Sequence, residues 1–421
     1  MSIQSIKLYN QLAKNKLFNK SINFNLKRIK LFLKKINNPE KKLKNVINII
    51  GSDGKYSLLV ALKYFIEANK QTASAYISPS LKSIRERFWV GKKYISYQEI
   101  QKNIKFIEKQ KIPLTIFEVL TLIFIINACK RNNDYNLIEA GALFAKDSTN
   151  VFDFPKLQAV VNINKQHLNF VKKKKINEII RQKVGFLSNF TTIYIGKQNS
   201  KNLNIIKKNL NKNIRKKIFS NSWKLIKIKN SYFYKDKKHT IKINSKYIYS
   251  KGLLENLAMS IKIALDLKIK KNIIKKTLPK IKFEGRIEYI KKGKLRNKIN
   301  KKEQILLDVC HSKVSAKNLS DYLKTIKIPK YGIWGMTKNK DYDSFINQFK
   351  NTFRKIIVIP IERESKSVSS KLLYDIGKKN KFNIEQAKDF EQAIKKITSK
   401  DKKIICVFGS LYLCGSVLNK N

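Results

Sequence analysis

An α/β protein of two domains is predicted by three observations. Val46 to Ile50 is an apolar, β-branched run of strand length that empties into Gly51-Ser52-Asp53-Gly54-Lys55-Tyr56-Ser57, after which Leu58 to Ala68 takes up helical spacing. Apolar runs of strand length then alternate with helical periods, the order expected of parallel sheets covered by helices. Near Phe283-Glu284-Gly285-Arg286 the alternation restarts, which divides the chain into a larger domain over 1–284 and a smaller one over 285–421.

Composition narrows the class. A chain of 421 residues, 43% apolar and 10% aromatic, can bury a core in each of two or three domains. Its net charge of +62 on its face calls for an acidic partner such as nucleic acid. Lysine, asparagine and isoleucine are nevertheless spread through strands and between motifs alike, which is a compositional bias and not a basic tail or stripe. Binding to nucleic acid at low salt is therefore expected, but no specific nucleic-acid partner. Cys129, Cys310, Cys406 and Cys414 form no CxxC pair, so neither zinc nor a disulfide framework is indicated, and a reducing cytosol fits. The opening MSIQSIKLYNQLAK lacks the apolar core of a signal peptide. The most apolar segment, Leu114 to Cys129, is interrupted by Thr115, Glu118, Thr121 and Asn127. A cytoplasmic protein with no membrane partner is expected.

Residues 1–44 read as a lysine-rich helical lead-in. The strand, glycine turn and helix that follow converge backbone amides on one spot, add the positive end of a helix and supply Lys55 as a point charge, a geometry suited to polyphosphate. A full phosphate loop has GxxxxGK[ST], whereas Tyr56 follows the lysine and Ser57 comes one place late. Alone, the loop leaves open an ordinary βα turn whose lysine is solvated. Ser74 to Ser78 is a short strand stopped by Pro79 within Ser78-Pro79-Ser80-Leu81. Arg85 and Arg87, beside Phe88 and Trp89, suit a flat anionic ligand held by ion pairing and stacking; surface arginines over a buried tryptophan are the competing account. Ser96 to Lys109 and Thr115 to Cys129 have helical periods. Tyr135 to Ala140 is a strand finishing in Glu139, and an acid at the C-terminal end of a parallel strand faces the ligand crevice, which makes Glu139 a candidate metal ligand.

Leu157 to Ile163 is a further strand, and His167, one of three histidines, stands beyond it as a site residue or a structural one. Glu178 to Val184 is helical and carries Lys183; Thr191 to Gly196 is a strand. From Trp223 to Asn244 lysines alternate with apolar residues about a turn at Lys235-Asp236-Lys237-Lys238, an antiparallel hairpin appended to the sheet. Helices at Leu253 to Leu267 and Asn272 to Leu278 close the domain. In the second domain, strands are expected at Gln304 to Val309, Tyr331 to Met336, Lys355 to Ile361 and Lys403 to Gly409. Helices are expected near Ser315 to Thr325, Tyr342 to Phe353 and Ile384 to Ile397.

The order of these features resembles the folylpolyglutamate synthase and dihydrofolate synthase family of the Mur ligase superfamily, from about Ile47 to Leu418. GSDGKYS is similar to the family's GTNGKGS, SPSL with RERFWVGKKYIS to SPHL and ERxxVNGxxIS, and Phe117-Glu118-Val119-Leu120-Thr121 to FExLT. Leu137-Ile138-Glu139-Ala140-Gly141, with Asp147-Ser148-Thr149-Asn150, resembles LEVGLGGRLDATN. His167 falls at the family's DH and Lys183-Val184-Gly185 at its KAG. Gly285-Arg286-Ile287-Glu288 is similar to PGRLE, Asp308-Val309-Cys310-His311 to DGAH, residues 335–342 to GMLKDKDY, and Gly409-Ser410-Leu411-Tyr412-Leu413 matches GSLYL.

The resemblance implies a P-loop-type Mur ligase ATPase domain followed by a smaller Rossmann-like α/β domain. It implies an ATP- and Mg2+-dependent ligase that phosphorylates a carboxylate of dihydropteroate or of a folate's glutamyl tail and then joins L-glutamate to it. A monomer acting on small molecules is expected. On the same grounds, Gly51, Ser52, Gly54, Lys55 and Ser57 would hold ATP, joined by Arg286, Asp308 and His311 from the second domain, so that the domains would close for catalysis. Ser57, Glu139, His167 and a carbamylated Lys183 would hold the metal. Ser78, Pro79, Arg85, Arg87 and Asp147 would meet the substrate, and Lys55, His167, Lys183 and His311 would carry the chemistry.

The departures fall inside this site. Asp53 replaces an asparagine and brings negative charge towards the phosphates, so Asp53→Asn is expected to strengthen ATP binding. Tyr56 replaces a small residue, Ala142-Leu143-Phe144-Ala145-Lys146 loses two glycines, Ser80 replaces a histidine, Lys165-Gln166 the residues leading to DH, and Ser312 an asparagine. An active ligase, a ligase with an altered substrate, and a family member that keeps the fold without turnover all remain open.

Overall fold

The computed structural model describes residues 2–21 and 23–421. Its contacts divide the chain into two compact units. The larger comprises Ile3–Lys246 and Leu253–Ile281; the smaller comprises Ser2, Tyr247–Gly252 and Lys282–Asn421. The short excursion of Tyr247–Gly252 into the smaller unit has no counterpart in the pattern of the sequence.

The larger unit is built on an eight-stranded sheet in the order Lys216–Ile218, Thr192–Ile195, Leu157–Val160, Val46–Ile50, Tyr135–Glu139, Ala73–Tyr76, Phe88–Val90 and Lys93–Tyr94. The first six run parallel; the last two are antiparallel additions. Val46–Ile50 lies between strands laid down before residue 140 and strands laid down after it. Its C-terminal end is therefore where the winding reverses, the place at which such sheets take ligands. All five of its residues are buried, as both-face coverage by helices demands.

One face is covered by helices Ile3–Lys14, Leu26–Lys35, Tyr97–Lys109 and Ile116–Arg131, the last buried on nearly every side. Thr115 caps it, and Glu118 returns a 2.6 Å bond to the Thr115 amide, an arrangement worth about 1 kcal/mol. Helices Ile176–Val184 and Ser200–Asn209 continue that cover along the same face, over Val160, Ile193 and Ile195. The opposite face takes helices Lys55–Ala68 and Lys251–Asp266, the latter reaching Tyr194 through Asp266.

Residues 223–244 correct the expectation of a hairpin joined to the main sheet. They form three antiparallel strands, Lys224–Ile228, Ser231–Lys235 and Thr240–Lys242, in a sheet of their own. Tyr234 and Ile241 bury one side, and Asp236 ties the ribbon to helix Lys251–Asp266 through Lys262. The strand read as Leu157 to Ile163 stops at Val160, because the Ile163 amide turns to the Gln198 side chain at 3.0 Å. Trp223 is buried at the ribbon's base, its ring 6.4 Å from Tyr194.

In the smaller unit six strands lie in the order Glu288–Ile290, Glu303–Asp308, Lys403–Phe408, Lys330–Trp334, Lys355–Val358 and Ile384–Gln386, all parallel except the first. Two helix expectations are corrected. Ile384 to Ile397 is a three-residue strand, Ile384–Gln386, followed by helix Phe390–Ile397 capped by Asp389. Tyr342 to Phe353 contains only Tyr342–Ile346 and one tighter turn, Asn347–Phe349. Trp334 is wholly buried against Phe345, with the rings stacked at 6.2 Å.

Candidate active site

The glycine turn leaves the buried strand Val46–Ile50 and delivers Lys55 as the first residue of helix Lys55–Ala68. Gly51 and Gly54 have φ of 146° and 98°, which side-chain-bearing residues rarely adopt. A Cβ on Gly51 would meet the Val161 side chain, and one on Gly54 would strike the Asn256 amide. The turn is laced to the next segment: the Ser52 amide donates to Asn162 O at 2.7 Å, and the Ser52 hydroxyl accepts from the Asn164 amide at 3.1 Å.

The Lys55 amine lies 3.3 Å from the carbonyls of Gly51 and Ser52 and 3.8 Å from Glu139 Oε1. Glu139 ends its strand, is buried, and also accepts from the Ser78 amide at 3.2 Å. The Ser57 hydroxyl donates to Gly54 O at 2.9 Å and accepts from Asn256 Nδ2 at 3.1 Å. Ser57 therefore faces the loop despite its late position, and Tyr56 is only partly buried.

Lys183, 1% exposed, reaches under the loop to Gly51 O at 2.9 Å and Ala142 O at 2.6 Å. Burial, helped by the nearby Lys55 charge, lowers its pKa to about 7, against the pull of Asp147 and Asp53. Asp147 is pushed up by burial to about 6, although the Thr149 amide and hydroxyl donate to it at 3.0 and 2.6 Å. Here an amine and a carboxyl both titrate near neutrality, a state that active sites favour.

His167 caps a short turn, Leu168–Phe170, in a left-handed conformation and stacks on Phe170 at 5.8 Å. Among the described residues no three His, Cys, Asp or Glu side chains converge as a metal cage. The donors at the loop are a hydroxyl and a carboxylate, which suit a hard divalent cation completing its shell with phosphate oxygens and water.

The arginines read as ligand holders are used internally. Arg87 is buried and donates to Tyr9 Oη and Ser78 Oγ, both at 2.9 Å; Arg85 donates to Ile95 O at 2.7 Å and lies over Tyr97. They brace the loop carrying Ser78 and Pro79. Trp89 is gripped by Lys63 over its ring at 3.4 Å and by Glu67, which accepts from its Nε1 at 2.8 Å. Ser80 is buried in the place where the family has histidine.

In the smaller unit Asp308 ends strand Glu303–Asp308, and its carboxylate accepts from the amides of Ile287 and Cys310 at 2.9 and 2.8 Å. Burial raises its pKa and the Arg286 charge opposes this. Ile287, β-branched, is held at φ 48°, a conformation that costs on the order of 1–2 kcal/mol. His311 lies one turn on, its Nδ1 3.2 Å from Val309 O and its amide 3.2 Å from Ser315 Oγ. Arg286, Asp308 and His311 thus share one strand end and the turn beside it.

Sequence reasoning missed Asn256, which touches Gly54 and Ser57 from helix Lys251–Asp266, 199 residues beyond Ser57. No local pattern marks it. It also missed Asn162, Asn164 and Gln166 as partners of the loop.

The chain is similar to known proteins in sequence and in fold. The family model for the C-terminal domain of dihydrofolate synthetase matches residues 291–420. The dihydrofolate synthase/folylpolyglutamate synthase of Buchnera aphidicola is 25% identical over 368 residues, 86% of this chain and 84% of that one. Among solved structures, folylpolyglutamate synthase of Mycobacterium tuberculosis complexed with ADP superposes with a TM-score of 0.86 at 17% identity over 99% of this chain and 98% of the other. The bifunctional enzyme of Yersinia pestis complexed with AMPPNP and Mn ion gives 0.84 at 18% identity, covering 98% and 97%. Both structures share the fold from end to end. With the ordered motifs and a relative aligned over 86% of the chain, the protein is similar to the folylpolyglutamate synthase/dihydrofolate synthase family along most of its length.

Proposed function

We propose that this protein is an ATP-dependent ligase that adds L-glutamate to dihydropteroate, to the glutamyl tail of folates, or to both. The observation that carries it is the meeting of the glycine loop, Lys55, Ser57, Glu139 and Lys183 at one end of the central strand. Loop amides and the Lys55 amine neutralise phosphate oxygens, and hold the γ-phosphorus in line with the substrate carboxylate. A carboxylate oxygen forms the new P–O bond as the bond to ADP breaks. The neutral amine of glutamate then attacks the acyl carbon, inorganic phosphate leaves with the bonding pair, and the amine gives up a proton. Little covalent chemistry falls to the protein; positioning and charge do most of the work.

A divalent cation, magnesium in this proposal, would be held by Ser57, Glu139, His167 and a carbamylated Lys183, and would draw charge from the transferring phosphoryl group. The near-neutral pKa of Lys183 keeps part of its amine unprotonated, as carbamylation requires. Asp147, with the braced loop of Ser78 and Pro79, supports the substrate side. Arg286, Asp308 and His311 are proposed as nucleotide contacts of the smaller unit. Action as a cytoplasmic monomer without a specific nucleic-acid partner belongs to the same proposal.

The test is ADP release by purified protein supplied with ATP, magnesium and L-glutamate. Release is expected only after dihydropteroate or a reduced folate is added. Release that ignores the pterin but answers to another carboxylic acid would move the protein to a different ligase class.

A further inference from the structure

Two of the departures from the family motif touch each other. Asp53, in the glycine turn, accepts from Gln166 Nε2 at 3.2 Å (Oδ1) and 3.1 Å (Oδ2), and its Oδ2 also accepts from Asn164 Nδ2. The backbones meet as well: the Asp53 amide donates to Asn162 O at 3.3 Å, and the two residues form an antiparallel bridge. Asn164 turns its amide nitrogen to the carboxylate and leaves its own buried oxygen without a partner, a cost borne because the charged acceptor is the stronger one. Where this chain has Asp53 and Gln166, the family motifs GTNGKGS and DH have asparagine and aspartate. Each pair contains one carboxylate and one amide, with the places exchanged.

We propose that Asp53 and Gln166 are a reciprocal positioning pair that locks the nucleotide loop to the segment leading into His167, so that the two substitutions compensate for each other. The proposal rests on the loop's role in binding ATP. It revises the expectation drawn from Asp53 alone. The carboxylate is committed to two amides, so removing its charge brings no gain. In Asp53→Asn the new amide still accepts from Asn164 and, with Gln166 turned about its last torsion, still finds an acceptor. In Gln166→Asp two carboxylates meet, which the site cannot satisfy. Adding Asp53→Asn to that variant restores one acceptor facing one donor.

Calorimetric ATP affinity in the presence of magnesium, measured well below the melting transition, tests this on the full chain. Expected are a change within about threefold for Asp53→Asn, a loss of about tenfold or more for Gln166→Asp, and recovery to within about threefold for the double variant. A Gln166→Asp protein that binds ATP like the parent, or a double variant no better than Gln166→Asp alone, overturns the proposal. A fall in Tm with unchanged ATP affinity also overturns it, since the pair would then be structural only. If the parent itself binds no ATP, the reading of the loop fails first; the melting temperatures of the four proteins then still show whether the pair is coupled, and independent effects on Tm dismiss it.

Discussion

Two polar networks are buried in the larger unit, and they treat charge in opposite ways. Between the ribbon and helix Lys251–Asp266, Asp266 accepts from Tyr194, Lys217 and Lys262 at 2.8, 2.7 and 3.1 Å, while Asp236 takes Tyr234 at 2.5 Å, Lys262 at 3.4 Å and two backbone amides. Burial pushes both carboxyls up, but these donors outweigh it: Asp266 ends below its usual range and Asp236 at about 2. Beneath the glycine loop, burial wins. Lys183 falls to about 7 and Asp147 rises to about 6. Matched charges hold pieces of the fold together; charges left near neutrality can change protonation at working pH, and the same unit uses both devices.

The comparison can be broken at either network. The largest effect is expected from Lys55→Ala, which removes a side-chain cation from the loop and should abolish ATP binding in calorimetry, a loss of about 3 kcal/mol or more. Lys183→Met should cut the rate of ADP release by about a hundredfold, yet leave Tm level or higher, because it takes a desolvated amine out of the interior. A large drop in Tm would put Lys183 with the structural network instead. Asp236→Asn should do the reverse, lowering stability by about 2 kcal/mol and Tm by a few degrees with ATP affinity unchanged.

Acid sharpens the contrast. A carboxyl with a depressed folded pKa contributes stability that is complete above its unfolded value near 4 and is lost as pH falls towards the folded value of about 2. The parent should lose up to about 2 kcal/mol in that window that Asp236→Asn does not lose, as denaturant melts at successive pH values will show. The smallest effect concerns the remaining charge. Lysines dispersed over the chain should bind a DNA duplex only at low salt, with binding gone by about 0.15 M in a fluorescence titration. Submicromolar binding at that salt would mean a dedicated surface.

What the sequence disclosed depended on range. Val46 to Ser57 reads directly because strand, turn and helix start are local, and Thr115 and Ser96 announce their helices by capping boxes. The three-residue strand Ile384–Gln386 was absorbed into a helical period because so short a run has none of its own. Detachment of the ribbon from the main sheet, the internal use of Arg85 and Arg87, and the contact of Asn256 with Ser57 are settled by residues far apart in the chain. Asp53 looked like damage when seen alone and is matched once Gln166 stands beside it.

The tryptophans buried in the two cores make each unit visible by itself. Trp223 belongs to the larger unit and Trp334 to the smaller, and Trp89 lies under the Lys63 ammonium group. Indole emission moves to longer wavelength as water reaches the ring. A protein keeping only Trp334, with Trp89 and Trp223 changed to phenylalanine, would report the melting of the smaller unit as a colour shift. Its counterpart keeping only Trp223 would do the same for the unit that carries the glycine loop, so that addition of ATP should delay the shift of Trp223 directly.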